Sequence, residues 1–212
     1  MIPTPYPELN EILGGGLPDR GLVEIFGIEG SGKTSLCINT AINYDHGGLF
    51  FDLDGTLLPW VSPTQIGIVP YHHLLQQDLL RDALTNMLLL IGPLVLVILD
   101  PIAVLGSKDI RLILPSLIAL SARTCVVLVN HSYIMEESVG SSGLSYYCCQ
   151  RLRFDSVHPI KIEPTPYGWF PGPAGIRSKI SVVKNTFAPF PQSAHINIVF
   201  EPSEEHISRR PS

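Results

Sequence analysis

Charge is scarce in this chain of 212 residues: Lys, Arg, Asp and Glu together make up 16%. The balance is acidic, with a net charge of −5. That excludes a wholesale basic coat for nucleic acid and leaves only a local basic patch open. Cysteine is sparse too. Cys37, Cys125, Cys148 and Cys149 form no C-x-x-C pair, which argues against a zinc site. Cys37 and Cys125 sit in apolar segments and are expected as buried free thiols of a reducing, cytoplasmic compartment. The start, MIPTPYPELNEIL, has no basic stretch leading into an apolar run, so no signal peptide is expected. The most apolar stretch, Met87 to Asp100, is too short to span a bilayer and is split by Gly92-Pro93, so no membrane partner is expected. What is plentiful is apolar material, at 45%. It suffices for the core of one α/β domain and excludes a disordered chain.

The chain alternates strand-like and helix-like segments. GLVEIF (21–26) is β-rich and is followed by a glycine loop and the helical SGKTSLCINTAINY. GGLFFDLD (47–54), IGIVP (66–70), LVLVILD (94–100) and TCVVLVNH (124–131) read as further strands. Residues 73–90 carry leucines at helical spacing, and 109–122 reads as a helix with Pro115 as a kink or a late start. Strands apolar on both faces predict a mainly parallel sheet covered by helices on both sides. From residue 152 onward three stretches alternate apolar and polar residues. They predict antiparallel strands that extend the sheet, with a proline- and glycine-rich turn over 164–175. A single core domain over 1–202 and a frayed tail over 203–212 are expected.

GIEGSGKT (27–34) fits G-x-x-x-x-G-K-[ST]. In such a loop backbone N–H groups and a helix N-terminus face a phosphate chain. Gly27, Ile28, Glu29, Gly30, Ser31, Gly32, Lys33, Thr34 and Ser35 are the expected nucleotide contacts. Lys33 would reach the β- and γ-phosphates, and Thr34 would coordinate Mg²⁺. Asp100, closing an apolar strand, is placed to hold the Mg²⁺ shell. In FFDLDGTLLP the two-residue period puts Asp52 and Asp54 on one side of a strand. One of them could orient or deprotonate an attacking water; equally, both could be solvated acids of a turn. Asn130 or His131, in VNHS, could touch a γ-phosphate or simply be structural hydrogen-bonding residues.

These pieces in this order resemble the RecA/RadA recombinase family, and the bacterial RecA ATPase core in particular. LNEILGGGLPDRGLVEIFGIEGSGKTSL resembles the family's opening, VILDPIAVL its Walker-B strand, VLVNHS its strand ending in Asn-Gln, and VVKNTFAPF a C-terminal family stretch. The resemblance implies a RecA-like P-loop fold of the α/β class, ATP and Mg²⁺ as cofactors, ATP hydrolysis, and a role in DNA recombination or repair. It implies a homo-oligomer in which Lys184 reaches a neighbouring subunit's ATP.

The departures shape the expected activity. The family's catalytic Glu aligns with Asp54, one methylene shorter, which implies slow hydrolysis because a general base must sit within reach of its water. The family's sensor Gln aligns with His131, and Thr186 replaces the second of two family lysines. The resemblance further implies a minimal core without the N-terminal polymerisation segment or the C-terminal domain. Its second DNA loop is cut to about 132–140, with Glu136 and Glu137 and no Lys or Arg. Acids facing a phosphate backbone oppose binding. The remaining basic candidates for single-stranded DNA are Arg151, Arg153, Lys161, Arg177, Lys179 and Lys184. Alternation puts Arg151 and Arg153 on one face, opposite Leu152 and Phe154. Weak, salt-sensitive DNA binding is expected, depending on those arginines more than on Tyr133 of the loop. The other readings are an accessory module that binds ATP and docks on a recombinase or a repair polymerase, as ImuA-type proteins do, and a nucleotide-dependent regulator without DNA.

Overall fold

The computed structural model describes residues 1–57, 66–70, 77–90, 96–132, 143–160 and 175–199. Its elements are α1 (Pro7–Leu13), β1 (Gly21–Gly27), α2 (Lys33–Ile42), β2 (Gly48–Asp52), β3 (Ile66–Pro70), α3 (Gln77–Leu90) and β4 (Leu96–Asp100). They continue with α4 (Ser107–Ser121), β5 (Cys125–His131), α5 (Leu144–Tyr147), β6 (Cys148–Ile160), β7 (Gly175–Asn185) and β8 (Gln192–Val199). The expected turn at 164–175 and the tail at 203–212 lie outside the described residues, apart from Gly175 itself.

The eight strands form one sheet in the order β3-β2-β4-β5-β1-β6-β7-β8. From β3 to β6 every pairing is parallel, and β7 and β8 follow antiparallel. The fold is therefore the expected RecA-like α/β sheet, mainly parallel and extended by C-terminal antiparallel strands. The three C-terminal stretches pair antiparallel to one another as expected, and β6 joins them to the parallel part by running parallel to β1. Alternation reveals a strand but not the direction of its neighbour.

Both faces of the sheet are dry. Val23, Ile25, Phe50, Ile98 and Val127 pack with Leu36 and Cys37 of α2 on one face. Leu22, Phe51, Val97, Leu99, Val126 and Leu128 pack with Leu84 of α3 and Ile113 and Leu117 of α4 on the other. Two buried faces explain why the central strands read as continuous apolar runs. Helix α4 begins at Ser107, where Asp109 Oδ2 accepts the Gly106 N–H at 3.1 Å, and it runs through Pro115 rather than starting there. All four cysteines are free; Cys37, Cys125 and Cys148 are buried. The carboxyl ends of β1, β4 and β5 (Gly27, Asp100 and His131) come together at one rim, where open α/β sheets bind ligands. No described helix is long and apolar enough to cross a membrane.

Candidate functional site

β1 delivers the chain to Gly27, and α2 starts at Lys33 with Gly32 as its N-cap at φ +90°. The first turn of a helix leaves N–H groups without intrahelical partners, so this end of α2 attracts anions. Lys33 is buried, and its ammonium arches back over the loop. Nζ donates to Ile28 O at 2.6 Å, Gly27 O at 3.1 Å and Ser31 Oγ at 3.3 Å. Burial pushes the Lys33 pKa down, opposed mainly by the Asp100 charge. Ser31 Oγ in turn donates to Ile28 O at 2.7 Å. The loop is thus a closed set of hydrogen bonds around one cation.

Thr34 Oγ1 donates to Asp100 Oδ2 at 2.6 Å, tying the first turn of α2 to the end of β4. Burial raises the Asp100 carboxyl to about 6; the Thr34 hydroxyl opposes this, and Asp54 and Asp52 add to it. A hydroxyl and a buried carboxylate side by side at a phosphate loop form the oxygen donor set that Mg²⁺ takes. A cation beside the carboxylate would offset the cost of burying its charge, so these residues fit the metal. The raised pKa has a consequence for the apo chain. Its stabilising contribution is present in full below the ordinary value of 3.8 and is lost as pH rises through about 6. At 1.36 kcal/mol per pKa unit the loss is about 3 kcal/mol. Urea unfolding at pH 3 and pH 7 should reveal it in the wild type, and the Asp100→Asn variant should lack it.

The two acids of FFDLD differ in burial but stay together: burial raises the Asp52 pKa, the Leu57 N–H opposes this, and a side-chain hydrogen bond with Asp54 and the Asp54 charge add to it. β2 ends at Asp52, so the two-residue period does not extend to Asp54, and the expected shared strand face is corrected. Asp52 is buried and caps the following turn. Its Oδ1 accepts the N–H groups of Gly55 at 3.0 Å and Thr56 at 3.2 Å, and its Oδ2 that of Leu57 at 3.1 Å. Asp54 is exposed, with Oδ1 accepting from Thr56 N at 3.1 Å and Thr56 Oγ1 at 2.7 Å.

At the end of β5 the two neighbours again differ in burial. His131 faces the rim, and burial, then the Lys33 charge, push its pKa down and keep the ring neutral. Asn130 is fully buried. Its Oδ1 accepts the His131 N–H at 2.9 Å and its Nδ2 donates to Glu24 Oε1 at 3.0 Å.

A cavity of about 450 Å³ brings together Glu29, Gly30, Ser31, Gly32, Lys33, Thr34, Ser35, Asp54, Asp100 and His131. Gly27 and Ile28 take part through the carbonyls that hold Lys33. Thr56, Pro101 and Ile176 also line the cavity without having been anticipated. Lys184 stands apart from it: Nζ donates to the carbonyls of Ser145 at 3.1 Å and Tyr146 at 3.0 Å, satisfying the end of α5.

Sequence reasoning passed over Glu24. It is fully buried, and its Oε2 accepts from Arg151 Nε at 2.7 Å, while the guanidinium lies 4.8 Å from the Phe26 ring centre. The signal was present, as a lone acid in an apolar strand that burial obliges to find partners. Arg151 and Arg153 do share a face opposite the buried Leu152 and Phe154. Arg153 Nε pairs with Asp155 Oδ1 at 2.5 Å, and Asp155 also accepts from Ser181 Oγ. Both arginines thus carry carboxylates with them. Arg177 is exposed and Lys179 half-buried on β7, whereas Lys161, Tyr133, Glu136 and Glu137 lie outside the described residues.

No protein-family model matches the chain. Among curated proteins it is similar to Protein RecA 2 of Myxococcus xanthus, 28% identical over 94% of this chain. It is similar to Protein RecA of Gloeothece citriformis at the same identity and coverage. The chain spans 63% of the length of these relatives. In three dimensions it is similar to the RadB recombinase, with a TM-score of 0.64 and 17% identity, covering 93% of this chain and 96% of the other. The chain is thus similar in sequence to RecA proteins and shares the fold of a RecA/RadA-type recombinase.

Proposed function

We propose that the chain is an Mg²⁺-dependent ATP-binding protein of DNA recombination or repair, with slow hydrolysis and weak single-stranded DNA binding. The observation that carries this reading is the Thr34–Asp100 bond at the mouth of a cavity that also holds Lys33, Asp54 and His131. In it, the loop N–H groups and Lys33 bind the phosphate chain, and Thr34 and Asp100 hold the metal. Bound Mg²⁺ neutralises charge on the phosphate oxygens. Asp54 orients the attacking water and His131, neutral, hydrogen-bonds the terminal phosphate. Hydrolysis is slow because Asp54 is short and exposed and its Oδ1 is already shared with Thr56.

The accessory reading, docking on a recombinase or a repair polymerase, draws support from the basic residues. Arg151 and Arg153 are ion-paired and Lys184 is held by α5, which leaves less positive charge for a phosphate backbone. A homo-oligomer in which Lys184 serves a neighbour's ATP would require that contact with α5 to be exchanged.

The test is ATP turnover by the wild type and Asp54→Glu, with and without single-stranded DNA, beside a salt titration of DNA binding. The longer acid should raise turnover roughly tenfold, a modest part of what a positioned base supplies. Unchanged or lower turnover would remove Asp54 from the water site. Tight DNA binding that survives moderate salt would favour an ordinary recombinase over both readings.

A further inference from the structure

We infer that Ser178, on β7, is a positioning residue of the nucleotide site: it fixes the Ser31–Gly32 peptide so that the phosphate loop is shaped before the nucleotide arrives. This rests on the nucleotide reading above and adds to it the C-terminal hairpin as the part that holds the loop.

Ser178 is fully buried, and its Oγ donates to the backbone carbonyl of Ser31 at 2.7 Å. A trans peptide is planar, with its C=O and N–H pointing in opposite directions. Holding the Ser31 carbonyl toward β7 therefore aims the Gly32 N–H away from β7. Ser31 and Gly32 both line the cavity, so fixing this peptide fixes the direction of an N–H at the place where a phosphate would sit. The same hairpin presses on the next atom of the loop. A Cβ on Gly32 would lie 2.3 Å from Ile198 Cδ1 and 3.0 Å from Ile176 Cδ1. A side chain at Gly32 would force both isoleucines to shift, and its φ of +90° disfavours one as well. Strand β6 closes the other end, where a Cβ on Gly27 would meet Phe154 O at 2.6 Å.

A glycine-rich loop loses much backbone freedom when it wraps a phosphate, a cost of about 1–2 kcal/mol per residue fixed. A loop already held in shape avoids part of that cost on binding. The hydroxyl of Ser178 is the polar element of this hold, and the two isoleucines are its apolar wedge.

Affinity for ATP·Mg²⁺ and for ADP, measured by calorimetric titration, tests the inference in the wild type, Ser178→Ala, Ser178→Thr and Ser181→Ala. Ser181 lies on the same strand but bonds Asp155, so its variant reports what a lost strand hydroxyl does to the fold alone. Ser178→Ala should weaken both nucleotides alike, by roughly tenfold, the scale of one net hydrogen bond. Ser178→Thr should recover the affinity, and Ser181→Ala should keep it. The melting temperatures of the two alanine variants without nucleotide should be similar. Wild-type affinity in Ser178→Ala, or equal losses in the two alanine variants, overturns the inference. A folded wild type that binds neither nucleotide overturns the nucleotide reading, and this inference with it.

Discussion

Lys33→Ala is expected to abolish ATP binding, lowering affinity by at least about 100-fold, or 2.7 kcal/mol. Before any nucleotide is present, the ammonium is held by two loop carbonyls and the Ser31 hydroxyl. These are neutral oxygens, and burial has already pushed the pKa of the amine down. A phosphate chain would replace them with anionic oxygens at the same spot. Hydrogen bonds between charged partners contribute about 1.5–3 kcal/mol each, and one methyl group supplies none of them. The variant should fold, because truncation also removes a charge that burial disfavours. Calorimetric titration of the folded variant measures the effect. Unchanged affinity would mean that the loop at 27–34 does not hold the phosphates.

Glu24→Ala is expected to destabilise the fold by about 3 kcal/mol or more, the cost of removing one partner from a buried ion pair. Glu24 is fully buried between two strands, taking the Asn130 amide from β5 on one oxygen and the Arg151 guanidinium from β6 on the other. Truncation takes that counter-charge from Arg151, whose side chain is 17% exposed, and leaves a void in the middle of the sheet. Urea unfolding midpoints report the loss. Replacing Glu24 and Arg151 together by leucines should recover a good part of it, since the pair as a whole is worth less than either half alone. If Glu24→Ala unfolds like the wild type, the pair contributes nothing to the sheet. The effect should also be felt at the rim, because the Asn130 side chain that Glu24 holds accepts the His131 N–H.

Much of this architecture could be read from residues. The phosphate loop announced itself because a strand, a glycine turn and a helix occur in the required order. The central strands were legible because burial on both faces makes them apolar throughout. What stayed hidden was set by partners remote in the chain. Glu24 meets Asn130 and Arg151 across 106 and 127 positions, and Ser178 meets Ser31 across 147. No local pattern encodes those meetings. The division of labour between Asp52 and Asp54 depends on where β2 stops, and a two-residue period does not mark its own end. That β6 would pair with β1, and in parallel, was likewise not encoded locally, because alternation is the same in parallel and antiparallel neighbours. Lys184 carried a family expectation about a neighbouring subunit, whereas within this chain its amine closes α5.

The most direct test of the nucleotide site is an equilibrium titration of the wild-type chain with ATP, with and without Mg²⁺. The Thr34–Asp100 pair beside Lys33 predicts saturable binding of one ATP per chain, tightened by Mg²⁺. A folded chain that shows no saturable binding, or binds ATP equally well without the metal, would contradict it.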